Sequence, residues 1–488
     1  MRLSRRQFLG AAALIAGRGS FAAPPRARAL ALAGAAAPST PTLAAPLDAD
    51  VIVIGAGLAG LHAAQLLEDG GLTVQVLEGD TRVGGRVRTL LDLPERPEAG
   101  GAEVGAYYAR VLDQIRRFGL ATRKLEFGGL DFALHVDGQL LAAREWPASP
   151  RNTIAGAAHR VIPPGIESAF LPKETGLAEL DSWLGRGRGL PDPSLADQYR
   201  QLGANDQALR YLQRAAQSDS LDQESWAWSL RKKKASDWGR QSSDGAFVQV
   251  VGGMSQLPIA MAAALSRPPQ LGAVVTALET NGPDGVVVHT RGSRRYRARF
   301  ALCTMPLTTL RETSISPALP PLQAEAVAKI PYGHATSAFL RVREPFWEVD
   351  RRGSSLWSDG PAGRAYYWST PSGRYIWCFL SGITNRPVRR LADADTMRYV
   401  LRELTAARPS MKGRVEPIGL MNWSRHPFAH GTYAYRAPGQ IARYGNVAAD
   451  VHDNLHFAGE HTAVLLQGME GAMESGERAA LEVLARQS

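Results

Sequence analysis

The chain has 488 residues with 45% hydrophobic content, an ordinary globular composition that is long enough for two or three domains. Six arginines and no acidic residue lie in its first 29 positions, so removing them lowers the formal net charge from +10 to +4, which does not argue for nucleic-acid binding. Two cysteines exclude a disulfide scaffold and a cysteine-based zinc site.

The N-terminal segment has the features of an export signal. Arg5 and Arg6 lie in the order S-R-R-x-F-L, before an apolar stretch over residues 8–17 and a tract of small residues. The pattern resembles a twin-arginine signal, which exports folded proteins, and the apolar stretch is shorter than the roughly 20 residues that span a bilayer. We expect a signal over residues 1–29, an Ala- and Pro-rich linker over 30–48 and a periplasmic or extracellular location; the alternative is an uncleaved amphipathic anchor.

The segment after the linker predicts a strand, a glycine loop, a helix and a second strand. Residues 51–54 form an uninterrupted apolar run, which is typical of a buried parallel strand. Residues 60–67 are helical in character, and residues 72–77 predict the next strand. This order is that of a Rossmann-like dinucleotide-binding unit in an α/β fold.

Three glycines and one glutamate in this unit are candidate nucleotide ligands. Gly55 permits the tight turn after the strand, Gly57 lets the backbone approach a pyrophosphate, and Gly60 lets the helix pack on the strand. The helix N-terminus offers free N–H groups and the positive end of its dipole to the phosphate. Glu78, 18 residues beyond Gly60, can accept hydrogen bonds from ribose hydroxyls.

The segment after the second strand resembles a motif of FAD-binding proteins, and this resemblance favours FAD over NAD as the cofactor. DTRVGGRVRT resembles the second nucleotide motif of the FAD-dependent amine oxidase family, with its R-x-G-G-R at Arg82, Gly84, Gly85 and Arg86. The two glycines permit another close backbone approach, and Arg86 can neutralise the pyrophosphate. EAGGAEVG over residues 98–105 is similar to the family's segment beside the flavin ring.

The C-terminal end carries a second match to the same family. Residues 455–458 predict a strand, Gly459 and Glu460 a turn, and a helix begins at about Met469. FAGEHT followed by GMEGAMESGERAA resembles the family's C-terminal flavin motif. The positive N-terminus of this helix would stabilise negative charge on a reduced flavin. One face of the helix carries the small and soft side chains Met469, Ala472, Met473, Gly476 and Ala480.

Inner segments extend the resemblance along the chain from about 49 to 488. FVQVVGGMSQLPIAMAAAL resembles the family's middle segment, RFALCTMPL resembles the strand and turn that follow, and Val275 stands where the family's backbone meets the adenine. The resemblance implies a discontinuous Rossmann-like FAD domain and an α+β substrate domain of the amine oxidase type. We expect the FAD domain over residues 49–105, 245–310 and 415–488, and the substrate domain over 106–244 and 311–414.

The motifs and the resemblance together imply noncovalent FAD. Some family members bind the flavin through a cysteine in a G-C-Y segment, but the matching stretch here has Gly431 near that place, and neither Cys303 nor Cys378 lies there. Sequence leaves open whether these two cysteines pair, and no metal site is predicted. The expected FAD-binding residues are Gly55, Gly57, Leu58, Ala59, Gly60, Glu78, Gly79, Gly84, Gly85, Arg86, Gly101, Ala102, Val275, Gly459, Glu460, Gly468, Met469 and Ala472.

The resemblance implies a reaction and a partner. The family oxidises an amine C–N bond to an imine, which water hydrolyses, and the electrons pass to oxygen or, outside the cytoplasm, to a periplasmic acceptor. Aromatic walls flank the amine in this family, and Trp423, Tyr433 and Tyr435 are candidates for them. The expected partner is a small-molecule amine, with no nucleic acid and no stable membrane span; an oligomer is left open.

Three positions depart from the family pattern. Gly468 stands where the family often has an aromatic residue, which would leave one wall of the pocket missing. Ser337 stands where the family often has a lysine that supports reaction with oxygen, so we predict slow reaction with oxygen. Glu103 stands where amino-acid oxidases have an arginine, which predicts a preference for amines, including those with a second cation, over α-amino acids. The catalytic candidates are therefore Tyr433, Trp423, Glu103 and Ser337.

Other interpretations stay open at the level of sequence. A flavin-dependent C–C desaturase, such as a carotenoid desaturase or protoporphyrinogen oxidase, shares the first motif, although it would need a large apolar tunnel. A flavoprotein without turnover is compatible with the departures at Ser337 and Gly468. The basic run Arg231–Lys234 is interpreted as a solvated helix end, with docking to an acidic partner as the alternative.

Overall fold

A computed structural model of the protein describes residues 47–125, 131–186, 192–242, 246–280, 282 and 285–487. The expected export signal and all but the last two residues of the expected linker lie outside the described residues. Strands are β1 (Ala49–Ile54), β2 (Val74–Leu77), β3 (Arg88–Thr89), β4 (Glu98–Gly100), β5 (Val104–Gly105), β6 (Thr122–Leu125), β7 (Phe132–Val136), β8 (Gln139–Ala142), β9 (Phe247–Val250), β10 (Val275–Thr280), β11 (Val286–Thr290), β12 (Arg295–Cys303), β13 (Ser314–Ser316), β14 (Ala335–Val342), β15 (Ser355–Ser358), β16 (Arg364–Thr370), β17 (Gly373–Ser381), β18 (Val415–Asn422) and β19 (Leu455–Phe457).

Helices occur between groups of these strands, together with short 3-10 helices, including one at Glu460–Thr462. The α-helices are α1 (Leu58–Asp69), α2 (Ala109–Arg117), α3 (Trp183–Arg186), α4 (Leu195–Gln201), α5 (Asp206–Ala215), α6 (Trp226–Ser242), α7 (Gln256–Ala263), α8 (Leu307–Leu310), α9 (Pro321–Lys329), α10 (Phe346–Asp350), α11 (Asp393–Ala407), α12 (Gln440–Tyr444) and α13 (Gly468–Ala485).

The first large sheet is the platform of the predicted nucleotide unit. Its strand order is β13-β10-β11-β12-β1-β2, and β19 also pairs with β12. β1 is parallel to both neighbours, so that Val51 lies beside Phe300 on one side and Val74 on the other. β19 is parallel to β12 as well. Because these four strands run in one direction, their carboxyl ends meet at one edge of the sheet, where α/β folds bind ligands.

Two glycines set how closely the helices approach this edge. A Cβ atom added at Gly60 would lie 2.0 Å from the carbonyl oxygen of Gly55, so the start of α1 can pack on the turn only with glycine there. A Cβ atom added at Gly476 would lie 2.3 Å from the carbonyl oxygen of Ala59. The small face predicted for the C-terminal helix therefore packs against the backbone of α1.

The second large sheet carries side chains that face the site. Its order is β18-β14-β17-β16-β15-β7-β8, and β17 is antiparallel to both β14 and β16. Two strands shift the boundaries expected from sequence. β18 (Val415–Asn422) pairs along β14 in this second sheet, whereas β13 (Ser314–Ser316) pairs with β10 in the first. A smaller sheet, β5-β9-β6, lies apart from both.

The basic run Arg231–Lys234 is not a solvated helix end, and that interpretation was wrong. The run lies inside α6, and only 1% of Arg231 is exposed because its guanidinium packs over the rings of two tryptophans. Lys232 points inward too, with Nζ 2.9 Å from Oε1 of Glu224. Lys233 and Lys234 lie nearer the surface, where each has a hydrogen-bond partner within the protein. Because all four cations are engaged in this way, a docking patch for an acidic carrier loses its basis here.

Cys303 and Cys378 do not form a disulfide. Both thiols are free and buried, Cys303 at the end of β12 in the first sheet and Cys378 within β17 in the second. Burial raises the pKa of Cys303 to about 12, and the pKa of Cys378 is raised for the same reason. Among the described residues, no cluster of His, Cys, Asp and Glu side chains could hold a metal ion, and no helix is long and apolar enough to cross a membrane.

Candidate active site

A cavity of about 790 Å³ opens at the edge where β1, β2, β12 and β19 end. Every FAD-binding residue expected from sequence lines this cavity, except Gly60, which packs beneath it. One part of the wall is the glycine loop and its neighbours. Another part is aromatic and comes from Tyr108, Trp377, Phe379, Trp423 and Tyr433.

The glycine loops leave backbone open to the cavity. Gly55 has φ +106°, the region that favours glycine, and this turns the chain from β1 into α1. A Cβ atom added at Gly57 would meet nothing within 4 Å, and one added at Gly85 would meet only Cα of Gly57, at 3.5 Å. No side chain caps the first turn of α1, so its N–H groups are free to bind an anion. This cradle fits the pyrophosphate of FAD.

Glu78 joins the end of β2 to the glycine loop. Its Oε2 accepts a hydrogen bond from the N–H of Ala56 at 2.7 Å, and its Oε1 accepts one from the N–H of Asp80 at 2.8 Å. Burial raises the pKa of this carboxyl despite those two hydrogen bonds. Each oxygen keeps a further lone pair for a ribose hydroxyl, the role expected from sequence.

The two arginines of the R-x-G-G-R motif hold the site together. Arg82 donates hydrogen bonds to three carbonyl oxygens of its own loop and so fixes the course of residues 82–87. Arg86 lines the cavity, but its Nη1 lies 2.9 Å from Oε1 of Glu460 and also donates to the carbonyl oxygen of Thr432. The charge of Arg86 is thus already compensated within the protein. Sequence predicts that Arg86 neutralises the pyrophosphate; in the structure it also connects the two ends of the chain.

The loop before α13 is held from both sides. Glu474 accepts hydrogen bonds from the N–H groups of residues 464–466 at 2.8 to 3.2 Å. Arg231 and Trp183 donate to carbonyl oxygens of the same loop. No side chain caps the start of α13 at Gly468, so its first N–H groups and the positive end of its dipole are directed at the cavity.

Of the three expected aromatic walls, Tyr433 lines the cavity and is half-buried. Trp423 lines the cavity as well, but it is 3% exposed and its Nε1 donates to the carbonyl oxygen of Ala99 at 2.8 Å, so it also anchors β4. Tyr435 is not a wall, because it packs in an apolar cluster with Trp183 and Trp228, away from the cavity. Burial raises the pKa of the Tyr433 phenol, which keeps it neutral.

Gly468 leaves an open place in the wall, as expected from sequence. A Cβ atom added there would have the hydroxyl oxygen of Tyr108 as its nearest neighbour, at 3.8 Å. Tyr108 was missed by the sequence analysis, because it lies in a loop with no periodic pattern. Trp377 and Phe379 lie two residues apart on β17 and share one face, so the period of two in that strand could have identified them.

Ser337, expected to face the flavin, lies one layer behind the wall. It is 1% exposed, does not line the cavity, and its Oγ accepts a hydrogen bond from Nε1 of Trp377 at 3.0 Å. Ser337 is directly opposite Phe379 in the pairing of β14 with β17. The two aromatic side chains therefore cover it, and its contact with the site is through Trp377.

Glu103 lies in the wall of the cavity, where its side chain is exposed to the cavity. Partial desolvation by the surrounding wall raises the pKa of its carboxyl. None of the described residues forms an ion pair with it within 4.0 Å. An uncompensated carboxylate at this place would repel an anionic group beside it.

This chain is similar to one protein family along most of its length. The family described as flavin containing amine oxidoreductases matches residues 58–484. The human amine oxidase [flavin-containing] B is 28% identical over 461 residues, covering 89% of this chain and 86% of that protein. The zebrafish (Danio rerio) amine oxidase [flavin-containing] is 26% identical, with 89% of this chain and 85% of that protein covered.

Solved structures show the same fold. Cyclohexylamine oxidase from Brevibacterium oxydans IH-35A has a TM-score of 0.75 at 22% identity, covering 90% of this chain and 99% of that one. Putrescine oxidase bound to putrescine has a TM-score of 0.68 at 20% identity, with the same coverage. The α/β fold predicted from sequence, a Rossmann-like FAD domain with a substrate domain, is confirmed.

The Arg86–Glu460 ion pair should make a measurable contribution to folding. Glu460→Gln keeps the shape but leaves Arg86 without its counter-charge. We expect the free energy of unfolding of the FAD-free protein to fall by about 2 to 3 kcal/mol, somewhat less than for fully buried pairs because Arg86 partly reaches solvent. Chemical denaturation measures it, and a double-mutant cycle with Arg86→Met isolates the pair.

The matched control is Glu312→Gln, since Glu312 also lines the cavity but is 69% exposed. That variant should change the free energy of unfolding by less than about 0.5 kcal/mol. A coupling energy near zero between Arg86 and Glu460 would show that the pair does not stabilise the fold.

Proposed function

The chain belongs to the family of flavin containing amine oxidoreductases, and from that premise we propose that its cavity holds FAD noncovalently and serves an exported enzyme. The protein carries out FAD-dependent oxidation of an amine C–N bond. When bound, FAD would supply the redox chemistry, as acceptor of the hydride equivalent from the α-C–H of the amine. The imine that remains is hydrolysed by water to an aldehyde or ketone and ammonia or an amine.

The observation that carries the assignment is that the residues expected from two distant nucleotide motifs line one cavity with an aromatic part. Gly57, Gly85 and Glu78 would hold the nucleotide, and the N-terminus of α13 would face the part of the ring that gains negative charge. Tyr433 and Phe379 offer flat apolar surfaces that orient a neutral amine and exclude water. The amine oxidase names of the relatives favour an amine over C–C desaturation.

The cofactor and the reaction can be tested together. Anaerobic mixing of the purified protein with a panel of primary and secondary amines should bleach the flavin band, and heat or acid should release FAD into the supernatant. Gly57→Val should abolish FAD retention because the added side chain enters the phosphate cradle, whereas Gly165→Val, outside the cavity, should not.

If no amine bleaches the flavin band, the protein is a flavoprotein without turnover. Flavin that stays with the precipitated chain would contradict noncovalent binding. Gly431, at the position of the family's linking cysteine, is the residue that motivates the noncovalent assignment.

Glu103 supports a preference for amines over α-amino acids. Its carboxylate is exposed to the cavity and would repel a carboxylate attached to the carbon that is oxidised. Glu103→Arg should therefore raise the kcat/KM for an α-amino acid relative to that for the matching amine, while Glu312→Arg, a control in the same cavity, should not. An unchanged ratio in Glu103→Arg would mean that Glu103 does not face the substrate.

The electron acceptor is proposed to be other than oxygen. No lysine among the described residues lines the cavity, and Arg86, which does line it, is paired with Glu460. The cavity therefore lacks the lysine whose charge assists the reaction with oxygen in the family. We expect slow reoxidation of the reduced enzyme by dissolved oxygen in stopped-flow measurements, and fast reoxidation by an artificial one-electron acceptor. Reoxidation by air at the rate of turnover would contradict this.

Two substitutions at Ser337 distinguish the effect of a positive charge on the reaction with oxygen from the effect of a displaced Trp377. Ser337→Lys and Ser337→Met both remove the hydrogen bond from Trp377, but only the lysine adds a positive charge. A faster reaction with oxygen in Ser337→Lys alone would support the electrostatic explanation; an equal change in both variants would assign it to movement of Trp377.

Export in the folded state is supported by Arg5 and Arg6 together with a noncovalent cofactor, which must be enclosed before the protein crosses the membrane. Replacing both arginines by lysine should leave active, FAD-containing protein in the cytoplasm, while Arg18→Lys should not. Unchanged export of the double variant would indicate a pathway for unfolded chains.

A further inference from the structure

A second, smaller cavity of about 180 Å³ adjoins the aromatic wall of the first. Phe379 and Tyr433 line both cavities, so these two rings form the junction between them. The remaining walls come from α4, α5, α6 and the ends of β16 and β17, outside the nucleotide platform. A substrate that extends past the junction would therefore enter a chamber of different chemistry.

Four charged side chains line the second cavity, and two of them satisfy each other. Glu224 is 1% exposed, and its Oε1 lies 2.9 Å from Nζ of Lys232. Its Oε2 accepts hydrogen bonds from the N–H of Gln217 at 3.2 Å and the hydroxyl of Ser218 at 3.4 Å. The charge and the hydrogen-bonding capacity of Glu224 are thus largely used within the protein.

The other two charged groups differ in position. Glu167 accepts a hydrogen bond from the hydroxyl of Tyr199 at 3.3 Å, on the wall formed by α4. Arg364 lies at the junction, with its guanidinium 5.2 Å from the ring centre of Phe379. Its charge also acts on the neighbouring phenol of Tyr433, where it opposes the rise in pKa that burial causes.

Arg364 is the charged group with unused binding capacity at the junction. Its Nη2 donates to Oγ of Ser381 at 2.7 Å, and no carboxylate of the described residues lies within the 4.0 Å of an ion pair. A guanidinium has five N–H donors, and its planar edge matches a carboxylate. An anion placed here would meet a cation that the protein does not neutralise directly.

We propose that the second cavity is a distal subsite in which Arg364 binds a carboxylate at the far end of an amine substrate. The inference rests on the proposed function, since it assumes that the amine end lies in the first cavity. The aliphatic chain would pass between Phe379 and Tyr433. The substrate class is therefore an amine whose carboxylate is remote from the oxidised C–N bond, unlike an α-amino acid or a diamine.

This class is compatible with Glu103. That carboxylate lines the first cavity and not the second, so it acts on groups near the oxidised carbon. Repulsion beside the reacting carbon and attraction at a distance favour the same molecules: amines with separated charges of opposite sign.

The test compares two series of substrates of equal chain length, from 4-aminobutanoate to 8-aminooctanoate and from butylamine to octylamine. In the wild-type holoenzyme, at least one aminoalkanoate should have a higher kcat/KM than its alkylamine. Arg364→Gln should lower this ratio by about 10- to 100-fold, the effect of one hydrogen-bonded charge. Arg374→Gln, an exposed arginine on β17, should leave the ratio unchanged.

Binding without turnover separates failure of the subsite from failure of the proposed function. Hexanoate, which has no amine to oxidise, should perturb the flavin spectrum of the wild type and of Arg374→Gln, and its Kd should rise by about 10- to 100-fold in Arg364→Gln. An unaltered Kd, or equal weakening in both variants, would overturn the subsite even if simple amines bleach the flavin. Loss of hexanoate binding only in Arg364→Gln would support it even if no amine is oxidised.

Discussion

The ion pair between Arg86 and Glu460 is the contact on which the arrangement of the site depends. Arg86 is the last residue of the R-x-G-G-R motif, whereas Glu460 follows β19 near the other end of the chain. Oε1 of Glu460 also accepts a hydrogen bond from the N–H of Ala434, next to Tyr433. One carboxylate thereby connects the nucleotide loops, the aromatic wall and the turn that leads to α13, and a charge without its partner would be costly at this depth.

Around this pair, the fold directs the dipoles of two helices at the cavity. The uncapped starts of α1 and α13 both face it. Gly60 and Gly476 let these helices pack closely on neighbouring backbone, and Glu474 and Arg231 bind the loop before α13. Oriented N–H groups that need no rearrangement are an efficient way to stabilise charge that develops during a reaction.

The substrate side is built differently, from side chains on the second sheet. Trp377 and Phe379 project from β17, Tyr433 comes from a loop, and Arg364 on neighbouring β16 lies behind them. Ser337 affects this wall by holding Trp377, although it does not reach the cavity. Variation in these few side chains could change the substrate without disturbing the nucleotide platform, because the two sheets are separate.

Sequence alone determined the parts of the protein that bind a common cofactor. Short-range patterns such as Gly55, Gly57 and Glu78 were sufficient there, since strand, turn and helix N-terminus must occur in that order for backbone N–H groups to meet a phosphate. The helix that begins near Met469 was likewise predicted from its small face. Only the tertiary structure decided that Ser337 is covered, that Tyr435 is a core residue and that the run starting at Arg231 is internal. Those outcomes depend on which elements pack over a side chain, and residues such as Arg364 and Tyr433 come together through pairings between strands and loops far apart in the chain, which no local pattern records.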